Sequence, residues 1–176
     1  MCAFLDISKA FDSVRHSDVF ECMENRGVSR DTIAMLKAMY YKGASRIIIS
    51  GHLSEKIEIK RGVRQGGSTS PIVFNFIPNE LAWMIEEANI GIKVGDPGIN
   101  VGLLLYADDI VLLAGTEIDL QKLCDICGKW AEKYSLEANQ QKSVVVDYSL
   151  KPQKLIVRIS GEFLKQTDQL SILGKS

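Results

Sequence analysis

Long apolar runs, cysteine pairs and excess charge are all scarce in this chain. No apolar run reaches the length of a transmembrane helix, and no signal peptide precedes the first apolar segment. The pair Cys124-x-x-Cys127 has no second Cys or His pair to complete a zinc site, and both thiols fall at helical spacing with Leu120, Leu123 and Trp130. We therefore expect core cysteines in a reduced, intracellular protein, nuclear or cytoplasmic, with no membrane partner.

The net charge of −1, from 21 Lys and Arg against 22 Asp and Glu, is low for a protein that binds nucleic acid. Phosphate neutralisation dominates the affinity of such proteins, so they usually have a basic face. Local basic clusters could follow a nucleic-acid backbone or simply be solvated: Lys56, Lys60, Arg61 and Arg64, then Lys151, Lys154 and Arg158. At 176 residues, without repeats or low-complexity tracts, the chain has the length of one domain.

Two adjacent carboxylates, Asp108 and Asp109, interrupt the most apolar stretch of the chain, Gly102–Ala114. Leu, Ile and Val on both sides predict a strand, a two-residue turn and a second strand. An ionised carboxylate beside a buried strand loses hydration and repels its neighbour, so it needs a cation or stays neutral. The pair could therefore bind a divalent metal at one edge of a sheet, or it could form a turn that faces solvent.

A further acid, Asp6, ends the apolar segment that begins at Cys2, which predicts a short strand. If this strand lies beside the two-acid hairpin, Asp6, Asp108 and Asp109 form a cluster of three carboxylates. Carboxylate oxygens are ligands that Mg²⁺ prefers. Two such ions, about 3.5–4 Å apart, can activate an attacking hydroxyl and stabilise a leaving phosphate oxygen. The spacing alone leaves the adjacency of the strands open.

The remaining pattern predicts an α+β fold, in which an antiparallel sheet is backed by helices. Helices are predicted from near Ser17 to Gly27, over Arg30–Tyr41 with Ser29 as the cap, from Pro71 to Ala88 and over 117–134. Strands are predicted at 2–6, at 46–50 and 56–60 as a hairpin across Gly51-His52, on both sides of the two acids, and near 143–149 and 155–159.

Three segments, in order, resemble the catalytic motifs of reverse transcriptases. Phe4–Val14 resembles the first motif, Arg61–Pro71 the second, and Leu105–Ala114, with its Tyr-Ala-Asp-Asp core, the third. Leu136–Ser143 and Ile172–Gly174 are similar to the fourth and fifth motifs. The runs Lys-Ala-Phe-Asp-Ser-Val and Tyr-Ala-Asp-Asp-Ile-Val-Leu-Leu are most similar to those of non-LTR (LINE-like) retrotransposons. The resemblance covers essentially the whole chain and implies the palm of a polymerase.

The resemblance also implies a metal-dependent catalytic site. Asp6 and Asp108 would bridge two Mg²⁺ ions, for which Mn²⁺ can substitute, and Asp109 would complete the acidic cluster. Lys142 would lie near the pyrophosphate as a positive charge or a proton donor. Electrostatic stabilisation of this kind carries much of phosphoryl-transfer catalysis.

Other matched positions would bind the nucleotide and the primer. Phe11 would pack beneath the incoming sugar and exclude a ribose 2′-OH, the group that separates the two kinds of nucleotide. The nucleotide pocket would be lined by Arg64, Gln65, Gly66 and Tyr106, and the primer end would be positioned by Leu173 and Gly174.

Each of these positions also has an ordinary structural interpretation. Phe11 could be a core aromatic at the start of a helix, Gln65 could be a polar loop residue, and Lys142 could be a solvated surface lysine. The second motif usually reads Gln-Gly-Asp/Cys-Pro-Leu-Ser-Pro, whereas residues 65–71 read Gln-Gly-Gly-Ser-Thr-Ser-Pro. This departure predicts a more flexible loop and a looser nucleotide pocket. The fourth motif also departs from the family pattern, which suggests a drifting copy.

The function implied is that of an RNA-directed DNA polymerase, which joins dNTPs to the 3′-OH of a DNA primer on an RNA template. We expect one partial reverse transcriptase domain over 1–176, with palm at 1–13 and 62–176 and a fingers-side segment at 14–61. The rest of the fingers and the thumb have no match, so we expect a truncated chain with no partner that supplies them.

Three alternatives to this function stay open. The first is a catalytically inactive, truncated relic with at most weak nucleic-acid binding. The second, an RRM-like module, would need aromatic residues on the sheet face, where the candidates are mostly Asp and aliphatic. The third, an RNA-dependent RNA polymerase, conflicts with the role implied for Phe11.

Overall fold

A computed structural model describes residues 1–41, 43–63 and 69–168 of the chain. In this part of the chain the helices are α1 (Ala10–Ser13), α2 (His16–Asn25), α3 (Arg30–Tyr41), α4 (Ser70–Ala88) and α5 (Glu117–Lys133). The strands are β1 (Cys2–Asp6), β2 (Ala44–Ser45), β3 (Ile48–Ile49), β4 (His52–Leu53), β5 (Ile57–Glu58), β6 (Ile92–Val94), β7 (Ile99–Val101), β8 (Leu103–Tyr106), β9 (Asp109–Leu113), β10 (Val144–Val146), β11 (Arg158–Ile159), β12 (Glu162–Phe163) and β13 (Lys165–Gln166). Two units are distinguished, one from residues 1–8 and 78 onward and one from residues 9–77.

The first unit contains a five-stranded sheet in the order β13-β10-β1-β9-β8. The strands from β10 to β8 are antiparallel to their neighbours, whereas the edge strand β13 runs parallel to β10. The α+β fold class is confirmed, with one correction, because the predicted sheet was antiparallel throughout. Strand β1, near the start of the chain, lies in the middle of the sheet. Its last residue, Asp6, therefore has β9 on one side and the segment before β10 on the other.

Alternation along the strands makes one face of this sheet the core. Successive side chains of a strand point to opposite faces. Ala3, Leu5, Ile110, Leu112 and Val145 share one face and are buried, and α5 packs against it. The other face carries Phe4, Val111, Leu104, Asp6, Asp109 and Tyr106, which are half-buried or exposed. The acids therefore lie on the more open face.

Helix α5 supports the sheet from its buried side. Thr116 caps the helix, because its Oγ1 accepts the N–H of Asp119 at 3.1 Å. Cys124 and Cys127 are fully buried on the core face of the helix, as their spacing predicted. Burial raises the pKa of the Cys124 thiol to about 12 and raises that of Cys127 as well, so both are protonated at neutral pH.

The second unit contains a helical pair and two short hairpins. Helices α2 and α3 pack through a core of buried side chains, among them Phe20, Met23, Ile33 and Leu36. Ser29 caps α3 as predicted, because its Oγ accepts the N–H of Thr32 at 3.2 Å. The bounds predicted for α3 agree with the structure.

The hairpin predicted over 46–50 and 56–60 differs from the structure. Its turn is Ser50-Gly51 rather than Gly51-His52, and both turn residues have positive φ values, 49° and 82°. Two positive φ values are the signature of a type I′ turn, which matches the twist of a two-residue hairpin. His52 therefore pairs with Ile49, and Ile57–Glu58 pairs with Ala44–Ser45 instead of with 46–50.

One further strand prediction needs correction, and one hairpin was missed. The strand predicted at 155–159 covers only Arg158–Ile159 and turns back at Ser160-Gly161, where φ is again positive at both residues. The hairpin of β6 and β7 was not predicted. No helix in the described part of the chain is long and apolar enough to cross a membrane.

Candidate active site

The predicted two-acid hairpin is present in the first unit, but its two-residue turn is Ala107-Asp108 rather than Asp108-Asp109. Tyr106 ends β8, Ala107 and Asp108 form the two-residue turn, and Asp109 begins β9 opposite Tyr106. Ala107 has a φ of 55°, a conformation that costs free energy for a residue with a Cβ. The turn therefore keeps Asp108 at the tip, next to an acid that is already part of the sheet.

The adjacency left open by the sequence is observed. Strands β1 and β9 are antiparallel neighbours, and Asp6 lies directly opposite Asp109. Because paired residues on adjacent strands project to the same face, Tyr106, Asp109 and Asp6 form one row across three strands. The row lies on the open face of the sheet, where a ligand can reach it.

Lys142 lies beside this row, in the turn that precedes β10. The β1–β10 ladder ends at Phe4 and Val144, so the ion pair with Asp6 is what places the lysine here. The Nζ atom of Lys142 is 3.6 Å from Oδ1 of Asp6, and 68% of the lysine side chain is exposed. An ion pair this exposed contributes little to stability, on the order of 0–1 kcal/mol. The pair places the positive charge of Lys142 beside the carboxylate of Asp6.

The electrostatics of the row follow from its composition. The pKa of Asp109 is raised, first because partial burial removes water from the carboxylate, and then because Asp108 and Asp6 carry like charges. The ammonium group of Lys142 acts in the opposite direction. A divalent cation would relieve the same repulsion more fully than one lysine.

The donor set fits a hard divalent ion in chemistry and in charge. Asp6, Asp108 and Asp109 offer only carboxylate oxygens, the ligands of Mg²⁺ and Mn²⁺. In the part of the chain that the structure describes, no group of three or more such side chains is arranged closely enough to hold a metal. The two-ion site therefore stays a prediction that would need the carboxylates to converge when the metal binds.

Phe11, the residue predicted to exclude ribonucleotides, lies in the second unit, half-buried in α1. Its ring stacks on Phe74 of α4, with centroids 4.1 Å apart and an interplanar angle of 24°. The carbonyl of Phe11 accepts the N–H of Val63 at 2.8 Å. The stacking is compatible with both interpretations, a core aromatic and a rigid wall beneath a sugar.

Gly62 joins the first and second motifs, which the sequence did not reveal. Its φ is 81°, and a Cβ there would lie 3.1 Å from the main chain of Asp12. The N–H of Gly62 donates to the carbonyl of Val14 at 2.8 Å, and its own carbonyl lies 2.8 Å from Nε2 of His16. The glycine of Arg61-Gly62 was the available signal, since close approach and positive φ both require it.

The remaining predicted site residues divide into two groups. Tyr106 is 76% exposed at the end of the row, so it is available to a ligand. Outside the described residues lie Arg64, Gln65, Gly66, Leu173 and Gly174, whose predicted roles stay untested. Asn139 and Ser143, which contact the main chain of Asp6, were not predicted. The sequence shows only that Asn139 is a residue type common in turns and that Ser143 directly precedes a run of three valines.

Comparisons with known proteins agree with this geometry. The family model for reverse transcriptase (RNA-dependent DNA polymerase) matches residues 1–175. The Pol polyprotein of the type-2 retrotransposable element R2DM of Drosophila melanogaster is 32% identical over 182 residues, which cover 98% of this chain and 17% of that protein. The polymerase of the mobile element jockey of Drosophila funebris is 25% identical, over 97% of this chain and 19% of its own length.

Solved structures show the same fold at low sequence identity. Telomerase from Candida tropicalis superposes with a TM-score of 0.64 at 15% identity, over 97% of this chain and 30% of that one. Telomerase from Candida albicans superposes with a TM-score of 0.61 at 15% identity, over 95% of this chain and 29% of that one. The chain thus spans less than a third of each of these proteins. Its sheet and helices correspond to part of a polymerase palm, and the chain belongs to the reverse transcriptase family, as a domain of the kind found in non-LTR, LINE-like retrotransposons.

Proposed function

We propose that this chain carries the catalytic centre of an RNA-directed DNA polymerase that extends a DNA primer with dNTPs on an RNA template. One observation carries the proposal: Asp6 faces Asp109 across β1 and β9, with Asp108 at the adjoining turn. Family membership supports the general activity. The RNA template is supported by the RNA-dependent polymerase name of the family and by the telomerase structures, whose names include telomeric RNA.

In the proposed reaction the 3′-hydroxyl of the primer loses its proton to water, and its oxygen attacks the α-phosphorus of the dNTP. A new P–O bond forms to the primer, the bond to the β-phosphate bridging oxygen breaks, and pyrophosphate leaves. Two Mg²⁺ ions, held by Asp6, Asp108 and Asp109, would lower the pKa of the attacking hydroxyl and neutralise the developing charge. The long, exposed side chain of Lys142, which pairs with Asp6, would donate a hydrogen bond or a proton to the leaving pyrophosphate. Phe11 would exclude the ribose 2′-OH.

A catalytically inactive copy is the second candidate. It is favoured by the near-neutral net charge of −1, since a nucleic-acid enzyme depends on phosphate neutralisation. It is also favoured by the altered second motif, in which Gly67, Ser68 and Thr69 replace the usual residues after Gln-Gly. Such a copy would keep the fold and lose productive binding of the nucleotide or the ions.

The test measures metal binding and catalysis on the same samples. Mn²⁺ binding is followed by electron paramagnetic resonance, and primer extension is followed on poly(rA)/oligo(dT) with Mg²⁺ or Mn²⁺. The variants are Asp108→Asn and a matched control, Glu87→Gln, which neutralises an exposed carboxylate on α4. We expect extension and Mn²⁺ binding by the parent and the control, and neither by Asp108→Asn.

Two other outcomes are decisive. Mn²⁺ binding without extension, in a folded parent, would favour the inactive copy. Equal Mn²⁺ binding and extension by Asp108→Asn and the parent would show that the cluster of Asp6, Asp108 and Asp109 is not the catalytic site.

A further inference from the structure

Both polar groups of the Asp6 main chain bind one short segment, Asn139–Ser143. The N–H of Asn139 donates to the carbonyl of Asp6 at 2.7 Å. The N–H of Asp6 donates to Oγ of Ser143 at 3.2 Å. Asn139 and Ser143, which lie in one short turn, therefore bind both polar groups of the Asp6 main chain.

The Ser143 hydroxyl replaces a missing bond of the sheet. The ladder between β1 and β10 ends at the pair Phe4 and Val144, so β10 offers no main-chain acceptor opposite Asp6. Ser143 is 0% exposed, and its side chain supplies the acceptor instead. A buried N–H that loses its acceptor is costly, so replacing Ser143 by a residue without a hydroxyl favours displacement of the Asp6 main chain.

The same segment presents Lys142. The carbonyl of Asn139 accepts the N–H of Lys142 at 3.2 Å and that of Ser143 at 2.8 Å. Its side-chain Oδ1 accepts the N–H of Gln141 at 3.1 Å, which closes an Asx turn. The residue that fixes the main chain of Asp6 thus also fixes the turn from which Lys142 reaches Oδ1 of Asp6.

We propose that Asn139 and Ser143 are positioning residues of the active site, which hold the Asp6 carboxylate in register with Asp109 and within reach of Lys142. Neither residue contacts the reacting atoms. They act through the main chain of Asp6, in the way that outer hydrogen-bond partners orient metal-binding side chains. The inference rests on the proposed function and adds to it residues that support one acid of the row.

The test compares Ser143→Ala, which removes the acceptor, with Ser143→Thr, which keeps it. Mn²⁺ affinity is measured by electron paramagnetic resonance. The distance between Asp6 and Lys142 is probed with a water-soluble carbodiimide, which activates the carboxylate so that a neighbouring amine forms an amide and displaces the urea. The cross-linked peptides are quantified by mass spectrometry. Ser143→Ala should weaken Mn²⁺ binding about tenfold or more and reduce the cross-link severalfold, and Ser143→Thr should restore both.

A destabilised control separates positioning from loss of fold. Ser29→Ala removes the cap of α3, in the other unit, and so lowers stability without touching Asp6. It should leave the cross-link unchanged, whereas Asn139→Ala should reduce it. If Ser143→Ala keeps the full cross-link yield, or if Ser29→Ala loses as much, the proposal is wrong. Absence of Mn²⁺ binding in the parent would count against the proposed function alone, and the cross-link yields would still decide the role of Ser143.

Discussion

Replacing Asp109 by Asn should raise the stability of the metal-free protein and lower the stability of the metal-loaded protein. In the folded chain Asp109 faces Asp6 across the ladder and follows Asp108 directly, so three like charges meet at one end of the sheet. Like charges on directly opposite strand residues destabilise a sheet by roughly 0.2–1 kcal/mol. With the adjoining acid and partial burial added, we expect a gain of about 1 kcal/mol for Asp109→Asn at neutral pH in EDTA. For a chain of this length that gain corresponds to about 2–4 °C in Tm.

The sign of the pH dependence follows from the raised pKa of Asp109. The folded state binds the carboxyl proton more tightly than the unfolded state, so ionisation destabilises the fold. This cost is present above the folded-state pKa and disappears as the pH falls below the ordinary carboxyl range, about pH 4. The advantage of Asp109→Asn should therefore be full at neutral pH and vanish in acid.

Urea unfolding in EDTA and in Mg²⁺, at several pH values, measures both effects. A metal ion at 100 times its Kd stabilises the folded state that binds it by about 2.7 kcal/mol, which exceeds the repulsion that the variant relieves. The order of stability of the parent and Asp109→Asn should therefore reverse in saturating Mg²⁺. Glu87→Gln, the matched control, should show neither effect. A parent that is already the more stable protein in EDTA at neutral pH, or an advantage that persists in acid, would refute the reasoning about like charges.

Three further predictions concern other residues. Thr116→Ala should cost about 1 kcal/mol in urea unfolding, because the N–H of Asp119 loses its cap, and an unchanged midpoint would show that the cap contributes nothing. The pKa of Asp147 is lowered, first because the N–H of Gln153 donates to it, so its contribution is present at neutral pH and lost as the pH falls through its folded-state pKa. Asp147→Asn should therefore be less stable at neutral pH, with the difference shrinking in acid. Phe11→Val should raise incorporation of rNTPs relative to dNTPs, and an unchanged ratio in primer extension would leave Phe11 as a packing residue only.

The elements that could be predicted from the sequence are those whose signals are local. Helix α3 follows a serine cap and keeps a regular apolar spacing, so both its bounds and its cap were predictable. Strand β1 and the two-acid hairpin are short apolar runs ended by polar residues, and the structure has both. In each case the evidence for the element lies within the residues that form it.

The errors concern which strands pair and in which register. The parallel pairing of β13 with β10 joins segments about twenty residues apart and leaves no mark on either strand. The hairpin turn was displaced by one residue, because Ser50-Gly51 and Gly51-His52 both contain the glycine and only the register distinguishes them. A shift of one residue moves every side chain of a strand to the other face. Here Ile47, Ile48 and Ile49 are all exposed, so burial does not reveal the register either.

In the candidate site, too, some residues carry a signal of their own in the sequence and others do not. The acids are identifiable because a carboxylate in an apolar strand is unusual, and the motif order supports them. Ser143 and Asn139 give no comparable signal, since a serine before a strand and an asparagine in a turn are common. Their importance comes from the position at which the ladder of β1 and β10 stops, two residues short of Asp6. Between the last pair of that ladder and the bridge of Ile7 with Ala138, the ladder on this side of β1 is interrupted at Asp6, where the open face presents a carboxylate. A neighbouring turn holds that residue there, through the main-chain N–H of Asn139 and the hydroxyl of Ser143, and for this reason the support of an active site is harder to predict than its charges.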